Sequence, residues 1–180
     1  MNVLLYLHDH VEDLEALATR ALLVRSGLQV STVCDHHNRT ITTAFGLRVM
    51  CDLLPSEVQV DAYEMLIIPG GKYVALTFQT NDTVKALIEL FNRKEKPLAA
   101  ICAGPRFLGA MGLLKNERYT AFPGSEADIE GTYLKDQKVV VDGRFITARS
   151  AGAVYEFALE IVRYLQGDAQ AEWLKDNILL

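Results

Sequence analysis

The chain has no apolar run approaching the roughly 20 residues that a membrane-spanning helix requires. It also has no concentrated positive charge. Its 18 Lys and Arg are scattered among 23 Asp and Glu, for a formal net charge of −5, whereas phosphate backbones are held by a clustered basic face. These two absences argue against a membrane partner and against nucleic acid. Cysteine is sparse, at three in 180 residues. That is an odd number in a chain long enough to need no disulfide staples, which predicts free thiols and a reducing, cytoplasmic setting. The start, Met1 to Leu7, carries neither a basic leader nor a small-residue cleavage site and reads as a first strand. Histidine is limited to His8, His10, His36 and His37, so none follows the middle of the chain.

What is present is the rhythm of an α/β domain. Val3 to Leu7 is a continuous apolar run, as in a strand covered on both faces. From Glu12 onward Leu14, Leu17, Ala18, Ala21, Leu22 and Val24 recur at helical spacing, and Ser26-Gly27 supplies a stop. Leu28 to Cys34 reads as a second strand, giving a βαβ opening that favours a parallel sheet. Residues 39–52 predict a small hairpin beside that sheet, turning at Ala44-Phe45-Gly46. Met65 to Ile68 is a buried strand that runs into Pro69-Gly70-Gly71, and a helix is expected from about Asp82, whose side chain can cap it, to about Glu95. Leu98 to Ile101 is a further strand ending at Cys102, and Pro105 to Leu114 predicts a helix. Asp142-Gly143 turns a second hairpin, Val154 to Leu165 is an amphipathic helix stopped by Gly167, and residues 168–180 read as a short helix and tail. Residues 1–180 contain no repeat, low-complexity stretch or linker, which predicts one domain.

The stretch Ala99-Ala100-Ile101-Cys102-Ala103-Gly104-Pro105 carries the chemistry. A buried strand stops at a nucleophilic side chain amid small residues, and a helix starts at once. Hydrolases of α/β type place serine this way as G-x-S-x-G; here the form is A-x-C-x-G. The turn predicts a strained, positive φ at Cys102. Its position at a helix mouth predicts a thiol pKa below the free value of about 8.5, set by free N–H groups and the helix dipole. An inert buried thiol is the competing reading.

Two further elements bear on Cys102. Pro69-Gly70-Gly71 ends a parallel strand, where glycines let backbone N–H groups approach a ligand, so Gly70, Gly71 and Ala103 are candidate oxyanion donors. Glu15 lies among Leu14, Ala16, Leu17 and Ala18, near the buried face of its helix, where a carboxyl tends to be protonated and can hydrogen-bond to sulfur. Glu12 and Asp13 read as a solvated acidic helix start. Cysteine hydrolases pair the thiolate with a histidine base. Only His8 and His10 share the sheet edge of the elbow, and His10 is the better placed to line the Cys102 pocket. As metal ligands, His8-x-His10 lack a convincing third partner, although Asp9, Cys34 or His36 could join, and neither metal nor cofactor is expected. Cys34 and Cys51 read as bystanders without a bridge to Cys102.

Taken together, Val3 to Leu7 through Glu12-Asp13-Leu14-Glu15, Ile67 to Gly71, Ala99 to Pro105 and Glu156 to Leu159 resemble the ThiJ/PfpI superfamily, nearest the branch of the parkinsonism-associated protein deglycase. The resemblance implies a flavodoxin-like, doubly wound and mostly parallel sheet, and a homodimer. It implies that Cys102 is the family's reactive, oxidisable cysteine and that Glu15 is the carboxylate touching it. Glyoxalase activity without glutathione, deglycation, redox sensing and chaperoning are the activities attributed to the branch. Departures are visible. Phe122 stands where many members carry His before Pro123, Ala103 replaces the His that follows the cysteine of the protease-like branch, and Phe45 replaces an interface Arg, while Arg149 matches its companion at the pocket. A peptidase is therefore disfavoured. The sequence supports a small-carbonyl-handling enzyme using Cys102 and Glu15, with a small reactive carbonyl or an oxidant as its partner. The alternatives are a non-enzymatic sensor or chaperone whose Cys102 stops at sulfinic acid, and an idle dimeric binding module.

Overall fold

The computed structural model describes residues 1–180. Three strands, β1 (Asn2–Tyr6), apolar from Val3 on, and the wholly apolar β5 (Met65–Ile68) and β6 (Leu98–Ile101), form the middle of one six-stranded sheet. The edges are β2 (Gln29–Val33) on one side and β10 (Phe145–Ala148) with β9 (Val139–Asp142) on the other, in the order β2-β1-β5-β6-β10-β9. All neighbours run parallel except β9, which returns antiparallel to β10 from the Asp142-Gly143 turn. Every residue of β5 and β6 is buried, as a parallel sheet covered on both faces requires. The small hairpin of β3 (Thr40–Thr42) and β4 (Arg48–Met50) stands beside this sheet, as its sequence suggests.

The covering helices follow from apolar spacing. In α3 (Asp82–Arg93) Val84, Leu87, Ile88 and Phe91 make the buried stripe, and in α5 (Val154–Gln166) Val154, Phe157, Ala158, Ile161 and Val162 do. Gly167, at φ +91°, separates α5 from α6 (Asp168–Asn177), which packs Ala171 and Leu174 inward.

Several boundaries differ from the sequence expectation. Asn81, not Asp82, caps α3: its Oδ1 accepts the Val84 N–H at 3.0 Å and its amide donates to the Tyr6 hydroxyl at 2.9 Å. The elbow helix α4 (Pro105–Ala110) stops short of Leu114. Gly112 turns the chain away at φ +70°. The first helix begins as a π turn, Leu14–Ala18, before α1 (Thr19–Arg25). The wider turn shifts the phase of the apolar stripe, burying Glu15 and Ala16 while leaving Leu14 and Val24 exposed. Short α2 (Lys72–Thr77) and the two-residue strands β7 (Arg118–Tyr119) and β8 (Thr132–Tyr133) have no periodic signal to reveal them.

Candidate active site

The ends of β1, β5 and β6 meet at one edge of the sheet, where open α/β folds hold their ligands. Cys102 is the first residue beyond β6. Its N–H donates to the Ala148 carbonyl at 2.8 Å, extending the ladder one step, and its carbonyl accepts the Phe122 N–H at 2.8 Å. Between these anchors its φ is +62°, a left-handed conformation that costs a non-glycine residue on the order of 1 kcal/mol or more. The turn closes because its neighbours are small. A Cβ on Gly104 would lie 2.5 Å from the Ile68 carbonyl oxygen, and one on Gly70 would lie 2.6 Å from Glu15 Oε2 and 2.7 Å from Cys102 Cβ.

Glu15 reaches the elbow from the π turn and is 1 % exposed. Its Oε2 accepts the Gly70 N–H at 2.8 Å. Oε1 is buried without a partner of regular hydrogen-bond geometry, while the Cys102 thiol bears directly on the carboxyl. Burial pushes Glu15 up from 4.5 to about 7; the thiol and the Gly70 N–H oppose that rise, and the like charge of Glu12 adds to it.

The thiol itself behaves contrary to the sequence expectation. Burial first, and then the charge of Glu15, push Cys102 upward, with the Ala103 N–H pulling the other way. A six-residue α4 offers little dipole, and desolvation next to a carboxylate outweighs it. Near neutral pH the thiol thus keeps its proton, while the carboxyl beside it, titrating at about 7, is part protonated and part free to accept one. Cys102 is partly rather than fully buried, because its outer side faces a cavity of about 310 Å³.

Gly71 and Ala103 both line that cavity; the Gly71 N–H donates to no other backbone group, and the Ala103 N–H bears on the Cys102 sulfur. Gly71 sits at φ +126°, a conformation open essentially to glycine, and a Cβ there would lie 2.4 Å from the His10 carbonyl oxygen. Gly70 does not share this arrangement. Its N–H is committed to Glu15, so it seats the carboxyl and is no free oxyanion donor.

Phe122 lines the cavity, but His10 and Arg149 do not. His10 is exposed at φ +65°, with its N–H donating to the Thr42 carbonyl at 2.8 Å, so the chain turns toward the hairpin there. The Arg149 N–H donates to the Lys138 carbonyl, and its charge bears on Tyr133. His8 stacks on the ring of Tyr73 at 5.0 Å and 13°. No histidine lines the cavity. Cys34 and Cys51 are buried, and all three cysteines are free.

Sequence reasoning missed Glu12, Arg106 and Ser125, which line the cavity. Glu12 does serve the helix start, its Oε2 accepting the Glu15 N–H at 2.8 Å, but it also presents a carboxylate beside Cys102. Arg106, directly after Pro105, ion-pairs with Asp128 at 2.6 Å and lies 3.9 Å over the Phe78 ring. Ser125 follows a left-handed Gly124 in a loop distant in sequence.

Comparison with known proteins places the sequence and the fold. The model of the DJ-1/PfpI family matches residues 1–164. A deglycase of Pyrococcus abyssi is 32% identical over 168 residues, covering 92% of this chain and 100% of the relative. The crystal structure of Drosophila melanogaster DJ-1beta superposes with a TM-score of 0.92 at 25% identity, covering 99% of this chain and 97% of that one. Toxoplasma gondii DJ-1, described as oxidized, superposes with a TM-score of 0.87 at 26% identity, covering 99% and 97%.

Proposed function

This chain belongs to the DJ-1/PfpI family, and from that premise we propose that it handles small reactive carbonyls through Cys102, as a glutathione-independent glyoxalase or deglycase. The carrying observation is the Cys102–Glu15 pair beneath a cavity whose walls include Gly71 and Ala103, with the Ala103 N–H already bearing on the sulfur. Sulfur attacks the aldehyde carbon while Glu15 takes the thiol proton. The C–S bond forms as the carbonyl electrons move to oxygen, which the two N–H groups hold until Glu15 returns the proton to it, giving the neutral hemithioacetal and a free carboxylate. With an α-ketoaldehyde such as methylglyoxal, transfer of the C1 proton to C2 through an enediol turns the hemithioacetal into a thioester. Glu15, titrating at about 7, is matched to carrying that proton at neutral pH. Water then releases lactate and restores the thiol, so the sum is methylglyoxal plus water giving lactate. Lactate formation by wild type and Cys102→Ser tests this reading.

A second reading is that Cys102 is a peroxide sensor, with Glu15 and the same N–H groups stabilising the sulfinate. The absence of a histidine from the cavity favours it, as does the similarity to a DJ-1 described as oxidized. Two oxygen atoms gained at Cys102 after mild peroxide, by mass spectrometry, would support it. The assembly proposed is a homodimer in a reducing cytoplasm. Phe45 and Met50 on the small hairpin are 79% and 77% exposed, which suits a face covered by a second copy. No helix is long and apolar enough to cross a membrane.

A further inference from the structure

A second cluster stands at the ends of β1 and β2, apart from the cavity. These strands are parallel neighbours, with Tyr6 beside Val33, so the residues that follow them meet. Ligand atoms of His8, Asp35 and His36 lie within 4.8 Å of one another. His36 Nε2 is 3.5 Å from Asp9 Oδ2 and 3.8 Å from Asp35 Oδ1. The other oxygen of Asp9 accepts the Thr42 N–H at 2.7 Å, which holds that carboxylate in place.

His8 is oriented as a ligand is. His8 Nδ1 lies 2.9 Å from the Asp9 carbonyl oxygen. Donation across that contact places the proton on Nδ1 and leaves the Nε2 lone pair free, the outer-sphere arrangement typical of metal-binding histidines. The His8 ring is clamped on Tyr73, and His36 meets it edge-on at 5.8 Å and 78°.

We propose that His8, Asp35 and His36, joined by Asp9, bind a divalent transition-metal ion of the Zn²⁺ type. Two neutral imidazoles and two carboxylates match the ion's charge, and mixed nitrogen and oxygen donors favour such ions over Mg²⁺ or Ca²⁺. Ligands at about 2.0–2.1 Å from a tetrahedral ion sit about 3.4 Å apart, close to the two His36 separations. All four side chains are partly exposed, and with His8 and Asp9 held, rotation of the Asp35 and His36 side chains closes the remaining gap. His10, the partner that the His8-x-His10 spacing suggests, and His37 fall outside the cluster. None of the four ligands lines the Cys102 cavity.

Calorimetric titration with ZnCl₂, in Cys102→Ser protein so that the accessible thiol does not compete, tests the site. The expected result is one Zn²⁺ per chain, with affinity falling at least tenfold in His8→Gln or His36→Gln and unchanged in His10→Gln and His37→Gln. Ring ¹⁵N resonances of His8 and His36 should shift at saturation while those of His10 and His37 stay. That reading holds even if a ligand variant folds poorly. Absence of binding, equal affinity in the ligand variants, or unmoved His8 and His36 resonances would leave the cluster an ion pair only and overturn the proposal.

Discussion

Glu15 Oε2 accepts the Gly70 N–H at 2.8 Å, which ties the π turn after β1 to the glycine turn after β5. This bond sets the height of the carboxyl under Cys102. It also explains why a buried acid stays partly ionisable, since a hydrogen bond to the charged form offsets some of the desolvation.

Stability should fall with pH because of Glu15. Its folded-state value is raised from 4.5 to about 7, so the folded protein holds that proton more tightly than the unfolded chain. The resulting stability is fully present below about pH 4.5 and is lost as pH rises through about 7, by at most about 3 kcal/mol. In Glu15→Gln this slope should vanish. Urea unfolding at intervals from pH 4.5 to 8 should show the variant gaining on wild type across that window; a constant difference would contradict the assignment.

Thiol reactivity should move opposite to activity. The negative charge of Glu15 raises Cys102, so Glu15→Gln should be alkylated by iodoacetamide several-fold faster at pH 8, even as carbonyl chemistry slows. His10→Ala should leave the alkylation profile unchanged, because His10 lies outside the cavity. Slower alkylation of Glu15→Gln, or a shifted profile in His10→Ala, would show that another base sets the reactivity.

Glycine at the elbow is required for space. Gly104→Ala places a Cβ 2.5 Å from the Ile68 carbonyl oxygen and should cost about 1–3 kcal/mol or more. Gly152→Ala is the control, with its nearest contact at 3.8 Å. Thermal melts should separate the two variants by several degrees, and equal melting would contradict the packing argument.

The parts of this fold legible in the sequence are those whose physics is local or strictly periodic. β5 and β6 are unbroken apolar runs, α3 and α5 carry i, i+3, i+4 stripes, and the A-x-C-x-G turn announces the positive φ of Cys102. The π turn was invisible because one inserted residue shifts phase without altering composition. The sequence offers Asp82 as the cap and the fold uses Asn81, since cap choice depends on where the chain leaves its loop. At the site, the burial of Glu15 could be read from its apolar neighbours, and its contact with Cys102 from the family resemblance. The direction of the thiol shift could not, because a local motif does not disclose how much water the fold removes. Arg106 and Ser125 reach the cavity only through tertiary packing. The sheet edge suggests His10 and the resemblance suggests Arg149 as pocket residues, but the turn at φ +65° carries His10 toward the hairpin instead.

The central claim is that Cys102, with Glu15 as its proton partner, performs the carbonyl chemistry. Its most direct test is the initial rate of lactate formation from methylglyoxal across pH 5 to 9 for wild type, Cys102→Ser and Glu15→Gln. The account predicts a wild-type rate governed by a group titrating near 7, no lactate above background from Cys102→Ser, and at least a hundredfold loss without that titration in Glu15→Gln. A wild-type protein that forms no lactate, or a Cys102→Ser variant that forms it at the wild-type rate, would contradict the account.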